Sequence, residues 1–258
     1  MSYWAERTAA TQAELTTKNI EQTKTQLIKY YGKTQKEIIG QFEKTYNHLL
    51  STMSEGKTPT PADLYKLDTY WQMQAQVKGE LMRLGNKQAA ILSNNFVKQY
   101  QAVYDLMAIK DISHYNTIDT KAAEAMINHI WCADGKSWSD RVWQNTELLQ
   151  QALNDNLIEC VVAGKKPSEL KALLQNDFNV SFSRADSLVR TEMAHIQTQA
   201  AHDRYEAEGV EFVEIWADKD ERRCDVCGKL HEKRYRINEK VPIPAHPRCR
   251  CCIIPVVE

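Results

Sequence analysis

The sequence predicts an α+β chain that is mostly α. Long N-terminal helices and a helical middle region come first, and a small Cys-rich β unit follows at the C-terminal end. Three observations carry this. Apolar residues recur at helical spacing over most of the first 210 or so positions. The pattern switches at Val210–Trp216 to the alternation of a half-buried strand. Five of the seven cysteines then fall within the last 35 residues.

In chain order, residues 4–54 contain Gly only at 32 and 40, and the first proline is Pro59. Leu27, Tyr30, Tyr31, Ile38, Ile39, Phe42, Tyr46, Leu49 and Leu50 form an apolar stripe, which predicts one or two long helices. The Thr/Gln-rich stretch before Leu27 is expected to be partly exposed or dependent on a partner. Residues 56–61 break the pattern, and Thr60-Pro61-Ala62-Asp63 reads as an N-cap with proline at the first helical position. A helix to about Leu84 should follow, then another from Asn86 to about Lys110, divided at Gly85. Residues 111–116 read as a connector. Thr120–Ala133 is predicted helical, and Ser137 or Ser139 caps a helix running through Trp138, Trp143 and Leu153 to Val162, with Gly164 beyond its end. Pro167 starts a short helix to about Gln175. Ser183 starts a long one to about Ala207, closed by Gly209. The apolar run Cys251–Val257 reads as a closing strand. The expected division is a helical, partner-binding region over 1–112 and a second domain over 113–258, with 210–258 as its β unit.

Length and composition narrow the function. With 258 residues and 43% hydrophobic content, the chain can form one or two domains with real cores. No apolar run approaches the 18 or so residues of a membrane helix. The first residues lack an apolar signal core, so no secretion is expected and the default compartment is cytoplasm. The formal net charge of −1 excludes a uniformly basic nucleic-acid coat. That total conceals three segments: +4 over residues 1–110, −9 over 111–218 and +4 over 219–258. Solvated helix faces explain this as readily as a meeting of the basic segments with a polyanion or an acidic partner surface.

The cysteine cluster is the most specific local signal. In a reducing compartment, Cys224-x2-Cys227 followed by His246-x2-Cys249 presents two donor pairs that can complete a tetrahedral zinc site. Cys251 is the substitute ligand, because alternate strand residues face the same way. Cys252 should face the other side, and His231 is a weaker candidate. An all-protein donor set implies a structural zinc rather than a catalytic one. Reduced structural cysteines or a facultative disulfide are the competing readings. Cys132 and Cys160, among apolar residues, read as small buried side chains.

Several motifs together resemble the phage Mu F-like minor head proteins, the head morphogenesis proteins of tailed bacteriophages. They are the helix Ser183–Ala194 with its Arg190-Thr191-Glu192 core, Tyr205–Val210, Ile215-Trp216, Asp220-x-Arg222-x-Cys224-x2-Cys227, and His246-Pro247-x-Cys249-Arg250-Cys251. The resemblance covers about 130–258, with Trp138–Trp143 as an early landmark. It departs at Leu230-His231, where the family has a Leu-Asp-Gly-like turn. It singles out Arg190, Glu192, Trp216 and Asp220 as motif residues. Arg190 and Glu192, two apart on a helix, should each pair with another element, and Asp218 or Asp220 are candidate partners for Arg190. The resemblance implies a minor structural protein of the virion. Such a protein would associate with the portal, major capsid or scaffolding protein, assist head assembly, DNA packaging or ejection, and assemble in the host cytoplasm. It implies no enzyme and no small-molecule substrate. Some relatives carry an added toxin domain; with the sequence stopping at Glu258, none is expected.

Two other function classes compete. Arg222, Arg223, Lys233, Arg234, Arg236, Arg248 and Arg250, interleaved with Tyr235, suit a zinc-stabilised module contacting DNA phosphates non-specifically. A metal-dependent nuclease using His231 or His246 is the third. The sequence has no Gly-x-Ser-x-Gly, His-Glu-x-x-His or P-loop pattern to support catalysis. His195 and His202, seven apart, share a helix face and read as a core or solvated pair.

Overall fold

The computed structural model describes residues 3–53, 57–109, 120–217 and 220–256. The Gly-poor start forms one helix, α1 (Tyr3–Ser51). Gly32 and Gly40 lie on its exposed side, where glycine costs about 1 kcal/mol against alanine and does not break a packed helix. The break at 57–60 leads into α2 (Pro61–Tyr65), which carries the expected cap in reciprocal form. Thr60 Oγ1 accepts the Asp63 N–H at 3.3 Å, and Asp63 Oδ2 accepts the Thr60 N–H at 3.1 Å. The predicted helix to Leu84 is corrected here: α2 ends after one turn, and α3 (Asp68–Leu106) starts anew.

Gly85 does not divide α3. A Cβ at that position would stand 2.7 Å from Trp143 Cζ3, so the glycine admits an indole ring against the helix backbone. The next helices are α4 (Thr120–Ile127), shorter than predicted, and α5 (Trp138–Val162). Next comes α6 (Pro167–Ala207), a single 41-residue helix where two were predicted. Its middle continues because Phe178 and Ser181 keep a buried face and Asn156 Nδ2 donates to Asp177 at 2.6 Å. Gly164 (φ 60°) and Gly209 (φ 76°) adopt the left-handed conformation just beyond α5 and α6, as their positions predicted.

The C-terminal strands form an antiparallel three-stranded sheet in the order β2-β1-β3. They are β1 (Phe212–Trp216), β2 (Arg234–Arg236) and β3 (Cys252–Pro255). Val213 faces Tyr235 on one side and Pro255 on the other, and Trp216 faces Cys252. A short helix, α7 (Asp225–Leu230), lies between β1 and β2. The α+β, mostly α class predicted from the sequence is the one observed. The connector at 111–116 and Asp218 lie outside the described residues.

Two compact units are interleaved along the chain, and α1, α3 and α6 contribute residues to both. One unit comprises residues 25–90 and 139–185. Its core holds Leu27, Ile38, Phe42, Leu81, Leu149 and Leu153, and Tyr46 donates its hydroxyl to the Lys165 carbonyl at 2.7 Å beyond α5. The other unit comprises residues 1–24, 91–138 and 186–258. There the Thr/Gln-rich start of α1 is not an exposed arm. Gln12, Thr16 and Thr23 are buried, four and seven residues apart, and meet polar partners on α3 and α6. Gln12 also donates to the Ile253 carbonyl of β3 at 2.9 Å, and Ala9 joins Trp216, Cys252 and Ile254 in one apolar cluster.

Candidate metal centre

The Cys-x2-Cys motif is positioned by the first turn of α7. Cys224 is the N-cap, in extended conformation, and its sulfur accepts the Cys227 N–H at 3.4 Å. One helical turn thus brings both sulfurs to one end of α7. The second donor loop arrives before β3. His246 and Cys249 close a turn through the Cys249 N–H and the His246 carbonyl, and Arg248 within it has φ 61°. That left-handed residue is held from α6: its N–H donates to Thr191 Oγ1 at 3.0 Å, and its guanidinium lies 3.4 Å from Asp186.

Five donors converge. His246 Nε2 is 3.3 Å from the Cys224 sulfur and 3.1 Å from the Cys227 sulfur. The Cys227 and Cys249 sulfurs are 3.8 Å apart. Cys224, Cys227 and His246 form one close triad, and Cys227, Cys249 and Cys251 a second. His246 Nδ1 donates to the Pro247 carbonyl at 2.8 Å, which leaves Nε2 as the bare nitrogen facing the sulfurs. A tetrahedral ion with metal–sulfur bonds of about 2.3 Å separates its sulfurs by about 3.8 Å. The Cys227–Cys249 spacing fits that directly, and the nitrogen–sulfur distances are within a few tenths of the corresponding value.

The electrostatics suit cation capture. The amide of Cys227 pulls the Cys224 thiol below its usual range. A hydrogen bond from the Cys251 thiol draws Cys249 down to about 5 and pushes Cys251 itself up. Burial raises Cys227 to about 12. His246 is raised, first by its bond to Pro247. Four thiols crowded against an imidazole, with one already poised as a thiolate, are a donor set that a divalent cation would relieve.

Of the sequence-predicted ligands, Cys224, Cys227 and His246 lie in one triad and Cys227, Cys249 and Cys251 in another, with Cys227 common to both. His231 is elsewhere: its Nδ1 accepts the Ala217 N–H at 3.3 Å and its ring meets Trp216 edge-on. Cys252 packs in the apolar cluster with Trp216. Cys160 is buried and Cys132 half-buried. Another acid–histidine grouping, His202, Asp203 and Glu206, lies on α6. There His202 Nε2 donates to the Ile237 carbonyl at 2.6 Å and Asp203 accepts the Tyr100 hydroxyl. His195 instead stacks on Trp131.

The motif residues frame the cluster. Arg190 pairs with Asp186 and with Glu21 of α1, both at 3.0 Å, and not with Asp220. Glu192, buried, accepts the Trp131 indole N–H at 3.0 Å. Asp220 instead receives both guanidinium nitrogens of Arg250, at 2.5 and 2.7 Å, so that it ties the approach to Cys224 to the segment between Cys249 and Cys251. Arg250 holds the Asp220 carboxyl well below the usual carboxylate range. Thr191 and Asp186, which fix the His246 turn, were not foreseen; Thr191 lay inside the quoted motif, but its spacing says nothing of a loop 57 residues away.

All seven basic candidates for nucleic-acid contact are exposed. Arg222 and Arg250 converge on Asp220, Arg248 lies against Asp186, and Arg234 pairs with Glu214 at 3.1 Å. Arg236 lies over the Phe212 ring at 5.2 Å. Arg223 precedes α7, and Lys233 lies between α7 and β2. Among the described residues, no helix is long and apolar enough to cross a membrane.

Comparison with known proteins gives one match. Residues 151–254 match the family model described as Phage Mu protein F like protein. No curated protein and no solved structure matches. The matched segment holds α6, β1, α7 and β2 together with every donor of the cluster, and it is over this segment that the chain is similar to the phage Mu protein F-like family.

Proposed function

We propose that this chain is a minor structural protein of a tailed-phage head, acting in head morphogenesis without enzymatic activity. The observation that carries the reading is that the family match and the cysteine–histidine cluster coincide in one segment, anchored to a long helix. The family points to capsid-related protein partners and a place in the virion. Within the head, portal, major capsid or scaffolding protein are the proposed contacts, met during assembly in the host cytoplasm, and DNA packaging or ejection the proposed steps. Long helices such as α1, α3 and α6 suit contacts between proteins.

A structural zinc ion belongs to this reading. The residues proposed to hold it are Cys224, Cys227, His246 and Cys249, with Cys251 as substitute, and when bound it would cross-link α7 to the loop before β3. Such a link stabilises a small β unit that cannot bury a large core of its own. Zinc per chain, measured by plasma mass spectrometry on protein purified without a His tag, should be close to one. A value near zero would remove the zinc.

The head assignment has its own test. In virions made from a genome carrying a tagged copy of the gene, the chain should be found in DNA-filled heads at low copy number by quantitative mass spectrometry. Its absence from both mature heads and head precursors would overturn the assignment. A second role, non-specific DNA contact, is favoured by the exposed Arg234 and Arg236 on either side of Tyr235 at the outer strand β2. Retardation of DNA by the full chain should then weaken steeply with salt; no binding at low salt would exclude it.

A further inference from the structure

A tetrahedral ion takes four ligands, and two triads that share Cys227 offer five donors between them. Cys227 is the shared member: it belongs to both triads, with His246 Nε2 at 3.1 Å and the Cys249 sulfur at 3.8 Å. The two candidates for the last position are attached differently. His246 is half-buried on a four-residue turn that α6 holds through Thr191. Cys251 is buried directly before β3, where Cys252 is already paired with Trp216. The imidazole can leave by a movement of its turn, whereas the thiol is fixed in place by the sheet.

We propose that the fourth ligand of this centre is exchangeable: Cys224, Cys227 and Cys249 hold the ion throughout, and His246 and Cys251 alternate in the remaining position. The proposal rests on the metal reading above. In the exchange the metal–nitrogen bond breaks and a metal–sulfur bond forms. The proton leaving the Cys251 thiol passes to the freed His246 Nε2. Total charge at the site is therefore unchanged. With His246 bound, the turn carrying Arg248 is fixed to the centre at one end and to Thr191 and Asp186 at the other. With Cys251 bound, the turn stays tied to the centre through Cys249 and to α6, and its His246 end alone is released. The exposed turn thus gains two states, and a docking partner can favour one.

Cobalt(II) loaded into the full chain tests this, because sulfur-to-cobalt charge transfer grows with the number of thiolates. His246→Ala should still bind one cobalt per chain, in tetrahedral form, with the charge-transfer band strengthened by one thiolate. Cys251→Ser should bind one cobalt with a three-thiolate spectrum. The double variant should bind at least 100-fold more weakly than either. Loss of the ion from His246→Ala, or a three-thiolate band in it, would overturn the exchange. Where a variant fails to fold, zinc-edge X-ray absorption of the unaltered chain decides: a mean between three and four sulfurs supports exchange, and an invariant three or four across temperature overturns it. An unaltered chain that binds neither cobalt nor zinc would overturn the metal reading as well, which separates the two failures.

Discussion

Gly85 lacks the one carbon atom that Trp143 would strike. Gly85→Ala should therefore destabilise the protein by about 1–3 kcal/mol through overpacking. Gly32→Ala, where nothing lies within 4 Å on the same kind of helix, should stabilise it by about 0.5–1 kcal/mol. Chemical denaturation of the two variants checks this, and equal effects would contradict it. His195 makes a prediction about pH. Burial, with His129 and Lys240 adding to it, pushes this ring from 6.5 down to about 4. The folded chain thus takes up a proton there less readily than the unfolded chain. The stabilisation is fully present above pH 6.5 and is lost as pH falls towards 4, by up to about 3 kcal/mol. His195→Gln should lose less unfolding free energy than the unaltered chain between pH 6.5 and 4.5; parallel profiles would reject the assignment. At this scale the sequence was legible where chemistry fixes spacing. Two thiols three apart and a His-x2-Cys pair identify themselves. Thr191, Asp186 and Gln12 do not, because a polar residue on a helix carries no mark of the loop or strand edge it satisfies.

The helices show the same division between legible and illegible features. Their ends were readable from local chemistry: the Thr60–Asp63 cap, and the glycines at 164 and 209 with positive φ. Their continuity was not. Gly85 resembled a terminator and is a packing site, while α6 runs through residues where a break was predicted because its buried face persists. The start of α1 is more informative still. Thr16, Asn19 and Thr23 bond to Gln99 and Asn95 of α3, with Asn19 donating to Gln99 at 2.6 Å and Gln99 donating to Thr16 at 2.7 Å. A weak apolar stripe read as partial exposure, yet Thr16 and Thr23 are buried against polar partners, with Asn19 half-buried between them. Gln99→Leu keeps the volume and strands the groups on α1. It should cost about 1–3 kcal/mol, a fall of about 2–10 °C in Tm for a chain of this size. An unchanged Tm by calorimetry would mean that water already serves these groups.

On the scale of the whole molecule, the two compact units interleave along the chain. Periodicity reports how each segment buries itself but not which distant segment it buries against. If the proposed ion holds α7 to the loop before β3, its removal should act locally. Chelation should increase hydrogen exchange over about 217–256 and leave Leu149–Leu157 protected; a uniform change, or none, would contradict this. The contact between Gln12 and the Ile253 carbonyl has a practical corollary. The β3 edge is shielded by a helix about 240 residues earlier in the chain, and Ala9 contributes to the apolar cluster beneath the sheet. The matched segment 151–254 thus does not contain the helix that covers this edge. Cloned alone, it would present Ile253 and Ile254 on an unguarded margin, ready to recruit the same margin of a neighbouring molecule.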